Sequence, residues 1–153
     1  MMGDKMKIST KGRYGLKAMM DLAIYSFGEP LNLKSIAERQ NVSEKYLEHI
    51  FSALKKAGLI KSTKGTQGGY ILAQAAADTT VGNVIRALEG DLSVAEKASG
   101  EEGNADILEQ CINQNVYEKV DNSINKLLDS ITLDDLQQEY KKMNKNIDYM
   151  FYI

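Results

Sequence analysis

The stretch from Leu33 to Leu72 constrains this chain more than any other: LKSIAERQNVSEKYLEHIFSALKKAGLIKSTKGTQGGYIL. Leu33, Ile36 and Ala37 recur at helical spacing and stop at Arg39-Gln40-Asn41, which predicts a helix over about Leu33–Gln40. Val42-Ser43 restarts the chain, with Ser43 placed as an N-cap and Glu44 in the first turn. A second helix follows over about Glu44–Ala57, with Leu47, Ile50, Phe51 and Leu54 on one face and Gly58 suited to a left-handed C-cap. Leu59-Ile60-Lys61-Ser62 and Tyr70-Ile71-Leu72 then read as two short strands around Lys64-Gly65-Thr66-Gln67-Gly68-Gly69, a basic, glycine-rich tip. A helix-turn-helix followed directly by a basic hairpin is a winged helix, here within a mainly α chain.

The charge distribution points to a polyanion. The net charge is −2, yet residues 1–75 hold twelve Lys/Arg against six Asp/Glu, and residues 76–153 hold seven against fifteen. A basic half followed by an acidic half predicts a nucleic-acid-binding domain over 1–77 joined to a module that does not touch the polyanion, residues 78–146. Apolar content of 43% fits a soluble protein, and no apolar run is long enough to cross a membrane. The charged N-terminus lacks the apolar core of a signal peptide, and a single cysteine excludes an internal disulfide, so a reducing cytoplasm is expected. No P-loop, close Cys/His pair or metal-ligand spacing marks an enzyme.

Upstream, a helix is expected from near Lys11 to Phe27, with Tyr14, Ala18, Leu22 and Tyr25 on one face and Ser9-Thr10 as a capping pair. Lys11, Arg13 and Lys17 in its first turns oppose the helix dipole. They make sense if a phosphate sits at that end, where free N–H groups and cations point together; a merely solvated basic face is the alternative. Pro30 ends the segment. On the second helix of the pair, Ser43, Lys45, Tyr46, Glu48 and His49 lie towards the outward N-terminal side that reaches base edges in helix-turn-helix proteins. Downstream, Val81, Val84, Ile85 and Leu88 mark a short helix capped by Thr79-Thr80 and ended at Gly90. Ser93–Asn104 reads as a mobile acidic loop. A longer helix over about Ala105–Ser130 carries Leu108, Ile112, Val116, Val120, Ile124, Leu127 and Ile131 at helical spacing. That stripe either folds back on its own domain or, as the better supported reading, meets its counterpart in a homodimer. Thr132-Leu133-Asp134-Asp135 opens a last short helix that gives way to a polar Lys/Asn segment, and residues 147–153 form a separate aromatic tail.

Four separated motifs carry a resemblance. They are Met6-Lys7-Ile8-Ser9-Thr10-Lys11-Gly12-Arg13-Tyr14-Gly15, Leu33-Lys34-Ser35-Ile36-Ala37, Ser43-Glu44-Lys45-Tyr46-Leu47-Glu48 and Gly65-Thr66-Gln67-Gly68-Gly69-Tyr70. Together they resemble the winged-helix regulator family that includes the iron–sulfur regulator IscR, the nitric-oxide-sensing repressor NsrR and the cysteine-metabolism repressor CymR. The resemblance implies that Glu48 reads a base, where a cytosine amino group could satisfy it. It also implies that Lys64 enters the minor groove, adding affinity more than base preference. Lys11, Arg13, Tyr14, Gln67 and Gly68 complete the expected DNA contacts.

Iron–sulfur members of the family place three cysteines and a further ligand between the short helix and the dimer helix. Here that stretch offers only Cys111, with Gln114 where the extra ligand is expected, so no cofactor is predicted. Cys111 reads as a small buried or half-buried residue. The tail Ile147-Asp148-Tyr149-Met150-Phe151-Tyr152-Ile153 is an odd apolar run to leave in water. It either packs back on the dimer or serves as a ligand, with Met150, Phe151, Tyr152 and Ile153 as the binding residues and the terminal carboxylate as a handle. The tail resembles that of the cysteine-metabolism repressor, which implies O-acetylserine sulfhydrylase as co-regulator. The expected protein is a cytoplasmic, dimeric repressor of cysteine or sulfur genes acting on double-stranded DNA. The alternative is a family regulator that senses iron–sulfur or nitrosative and redox status.

Overall fold

The computed structural model describes residues 7–95 and 106–151. Helix α1 (Thr10–Tyr25) leads to the pair α2 (Leu33–Gln40) and α3 (Glu44–Lys56), then to strands β1 (Ile60–Thr63) and β2 (Gly69–Leu72). Helix α4 (Val81–Glu89) follows, then α5 (Ile107–Ile112), a wider π turn at Asn113–Tyr117, α6 (Glu118–Ser130) and α7 (Leu133–Phe151). This is the winged helix-turn-helix with a two-stranded wing and a long C-terminal helical arm.

Local chemistry explains the ends of the central pair. Asn32 caps α2 by accepting from Ser35 N at 2.8 Å, and Asn41 closes it at φ 53°. Asparagine tolerates that left-handed conformation better than most residues. Ser43 then caps α3, accepting from Tyr46 N at 3.1 Å. The turn between the helices is therefore held at both edges by side-chain oxygens.

Leu47, Ile50, Phe51 and Leu54 of α3 are buried, as their spacing predicts, against Ala18, Met19 and Leu22 of α1 and Ile36 of α2. Each such side chain contributes about 2 kcal/mol by leaving water. Val84 and Leu88 of α4 and Leu133 of α7 complete the same cluster. A smaller cluster gathers Val81, Ile85 and Leu92 with Leu128, Ile131 and Leu136 packed against it.

The wing strands pair antiparallel, with Ile60 opposite Leu72 and Thr63 opposite Gly69. Leu31 adds a bridge to the free edge through Tyr70, by hydrogen bonds of 2.8 and 2.9 Å. A Cβ at Gly69 would collide with the Leu31 carbonyl, so glycine there is what lets the linker approach the wing.

Four expectations need correction. Helix α1 stops at Tyr25, short of Phe27, which turns into the left-handed region at φ 47° with its ring 90% exposed. Ser9 makes no side-chain cap on α1. The last helix is not short: α7 runs through the Lys/Asn segment to Phe151, because Tyr140, Met143, Ile147 and Met150 continue a three-four repeat that the polar stretch only interrupts on other faces. Cys111 is exposed rather than buried. Of the expected acidic loop, only Ser93, Val94 and Ala95 are described; the rest lies outside the described residues, as do Tyr152 and Ile153.

Candidate nucleic-acid interface

Helix α3 sorts its residues by side. Behind it lies the core; on the outer side Lys45, Glu48, His49 and Ser52 are exposed. Their spacing of three and four places them on one face, where with Ser43 and Tyr46 they line a shallow depression. Ser52 was missing from the sequence-based set, although its spacing from Glu48 and His49 puts it on the same face. Only its small neutral side chain hid it.

Helix α1 meets this face through aromatic contact. The Tyr14 and Tyr46 rings pack edge-on, with centroids 6.0 Å apart and planes at 89°. Lys17 Nζ lies 5.2 Å from the Tyr14 ring centroid. The structure thus joins Tyr14, and through its ring Lys17, to α3. Arg13 is exposed and its Nε donates to the Ile8 carbonyl at 3.2 Å, while Lys11 is half-buried.

The first turn of α1 is not an empty anion site. Glu89 Oε1 accepts from Ser9 N at 2.8 Å, Ser9 Oγ at 2.5 Å and Gly12 N at 3.1 Å. The expectation of free N–H groups waiting for a phosphate is therefore corrected: a carboxylate of the same chain occupies two of them. No sequence signal local to α1 could have found it, because Glu89 lies 77 residues from Gly12.

At the wing, Lys64, Gly65, Thr66 and Gln67 are exposed and Gly68 is half-buried. Gly65 holds φ 107°, and the Gly68 N–H donates to the Gly65 carbonyl at 3.0 Å. Gly68 is thereby a turn former whose donor is already used. Lys64 and Gln67 are the side chains the tip presents.

The acidic half carries its own face. On the arm formed by α5, the π turn and α6, Ile112, Val116, Val120 and Leu127 are exposed and Ile124 is half-buried. The inner side of α6 is tied to α4 by Arg86, which donates to Asn125 Oδ1 at 3.0 Å and pairs with Asp129. Asp121 accepts from Ser93 Oγ at 2.5 Å, Val94 N at 2.7 Å and Ala95 N at 3.3 Å. Burial pushes the Asp121 carboxyl upward, but these three donors outweigh it and leave its pKa lowered.

This fold and face define a winged-helix, DNA-binding regulator of transcription. The chain belongs to the Rrf2 family, whose model, described as an iron-dependent transcriptional regulator, matches residues 8–139. It is 42% identical over 148 residues to the HTH-type transcriptional regulator CymR of Bacillus subtilis, covering 97% of this chain and 100% of that one. The solved structure of B. subtilis CymR, described as the global cysteine regulator, matches with a TM-score of 0.72 at 41% identity, over 88% of this chain and 98% of that one. IscR of T. potens matches at 0.70 with 46% identity, over 90% of each.

An iron–sulfur cluster does not fit the donors. The chain holds one cysteine and one histidine, and among the described residues no group of three His, Cys, Asp or Glu side chains converges as a metal site. Cys111 sits on α5 with Asn115 as its polar neighbour, Nδ2 lying 3.8 Å from the sulfur. Cluster ligation needs about four donors, mostly thiolates. No described helix is long and apolar enough to cross a membrane.

Proposed function

We propose that the protein is a cytoplasmic, dimeric repressor of cysteine or sulfur genes, with O-acetylserine sulfhydrylase as co-regulator. The observation that carries this reading is the match to B. subtilis CymR across the whole of that protein, a global cysteine regulator. Residues 1–77 read DNA, residues 78–146 make the dimer, and residues 147–153 engage the enzyme. The two recognition helices enter successive major grooves through Ser43, Lys45, Tyr46, Glu48 and His49. Lys64, Gln67 and Gly68 follow the flanking minor grooves, and Lys11, Arg13 and Tyr14 hold the backbone. Repression follows from occupancy of the promoter.

The dimer rests on Ile112, Val116, Val120, Ile124 and Leu127, an apolar row that water does not favour. Support for the tail as a ligand comes from α7, on whose outer stripe Met143, Ile147 and Met150 are exposed. Met150, Phe151, Tyr152 and Ile153 insert into the enzyme, with Ile153 as the anchor. The family description and the IscR relatives favour a second reading, an iron–sulfur or nitrosative sensor. The single cysteine counts against it.

Titrating purified O-acetylserine sulfhydrylase with a peptide of residues 144–153 tests the first reading. Binding that is lost on removal of Ile153 and displaced by O-acetylserine is the expected result. Absence of binding removes the enzyme partner.

A further inference from the structure

The segment that leaves α4 is held at two points, each by one carboxylate. At its start Glu89, the last residue of α4, takes three donors from Ser9 and Gly12 at the head of α1. The seat exists because position 12 has no side chain: Gly12 is buried, and a Cβ there would run into Oε1, Cδ and Cγ of Glu89. Gly90, at φ 77° and ψ −163°, turns the chain. Leu92 is buried in the smaller core cluster. Then Ser93, Val94 and Ala95 close around Asp121 of α6. Residues 89–95 therefore run as a strap from the DNA-facing helix α1 to the helix that carries the apolar dimer row.

The choice of a distant carboxylate is informative. Helices α3 and α4 are capped by the local hydroxyls of Ser43 and Thr80. Such caps make the first turn self-sufficient. Helix α1 has Ser9 in the same position, yet its hydroxyl donates to Glu89 instead of accepting from α1. The order of that turn then depends on where α4 and the strap sit. What depends on the turn is the DNA face itself: Lys11 and Arg13 lie within it, and Tyr14, the next residue, packs against Tyr46 of α3.

We propose that residues 89–95 are a transmission strap, in which the seating of Asp121 on Ser93–Ala95 sets, through Glu89, the order of the first turn of α1 and hence DNA affinity. A disturbance of α6 or of the strap then alters DNA binding without touching the DNA face. By linkage, DNA occupancy must in turn steady the strap. The affinity part rests on the DNA-binding reading above, whereas the link from Asp121 to Ser9 and Gly12 does not.

The test uses the full chain and substitutions at both ends. Gly12→Ala unseats Glu89 and Ser93→Ala loosens Asp121, both without a change of charge, and Asp121→Asn sets an amide NH2 against donors. Amide hydrogen exchange at Ser9 and Gly12 reads the clasp without DNA. Affinity is read on a duplex that the wild-type protein selects from a random-sequence pool, and dimer mass by ultracentrifugation. Ser93→Ala and Asp121→Asn are expected to speed exchange at Ser9 and Gly12 and to weaken DNA binding about fivefold or more, with dimer mass unchanged. Gly12→Ala weakens binding similarly, and Ser93→Ala added to it brings no further loss. Unchanged exchange at Ser9 and Gly12 in both strap variants overturns the proposal, as do losses that multiply in the double variant. If the wild-type protein selects no duplex, the DNA-binding reading fails, and exchange alone still decides the strap.

Discussion

Glu48 is an acid on a face that would approach a polyanion, flanked by Lys45 and His49 and exposed with them. Phosphate repels it, so it serves DNA binding only where a base donates to it; of the two amino donors in the major groove, cytosine N4 and adenine N6, the cytosine group is the expected partner of an acid. Glu48→Ala is expected to relax base preference at one position of each half-site, by about 1–3 kcal/mol of discrimination, while binding to unrelated duplexes holds or rises. Arg13→Ala is expected to behave oppositely, weakening all duplexes alike and lowering the slope of log K against log salt by about 0.9. Titrations on matched and mismatched duplexes at several salt concentrations check both; an unchanged slope would remove Arg13 from the phosphate contacts. Lys45, Glu48 and His49 were legible because helical spacing alone sorts them from Leu47 and Ile50. Glu89 was not, since its partners Ser9 and Gly12 are remote in sequence and its chemistry is that of any helix-end acid. Cys111 was read as buried or half-buried because its residue type favours burial, while its position on α5 is exposed.

At the scale of elements, α2, α3 and the wing were legible because each is written locally: a cap, an apolar period, a turn residue. The lengths of α1 and α7 were not. Phe27 looked like a last helical apolar residue, and the polar Lys141–Asn146 looked like the end of a short helix because its lysines and asparagines mask the single apolar position, Met143, that carries the repeat through. Another element-level tie also escaped the sequence. Asp21 of α1 is fully buried and accepts from Arg39 Nε at 2.9 Å, Arg39 Nη2 at 2.7 Å and Gln40 Nε2 at 2.8 Å, all from α2. The Arg39 guanidinium also lies 4.7 Å over the Tyr25 ring. Its hydrogen bonds to Asp21 raise the Arg39 pKa against the opposing effect of burial. Removing the cation leaves a carboxylate in the core with one amide partner. Arg39→Ala is therefore expected to cost roughly 3 kcal/mol, the scale of a broken buried pair. Urea unfolding followed by circular dichroism measures it; a loss under about 1 kcal/mol would place the pair among ordinary surface bridges.

For the molecule as a whole, the question is why an arm that already helps complete the core, through Leu133 of α7, also leaves an apolar row outside it. The core closes without the outer side of α6: Leu128 and Ile131 turn inward to the smaller cluster, while Leu127 and Val120 face away, Leu127 at 61% exposure. An apolar row left outward after the core is satisfied needs a second surface, and a two-fold partner offers the identical row. One winged domain makes few base contacts, so tethering two raises the effective concentration of the second for its half-site by orders of magnitude. Leu127→Glu sets a charge in that row on a side that touches no core residue. The expected outcome is a monomer by ultracentrifugation with helical circular dichroism retained, and DNA affinity reduced about a hundredfold as the second half-site is lost. A Leu127→Glu protein that stays dimeric would move the interface to α7, whose own stripe of Tyr140, Met143, Ile147 and Met150 is the next exposed apolar row. A monomer that keeps full affinity would mean that a single winged domain suffices, and the two-fold operator would have to be given up.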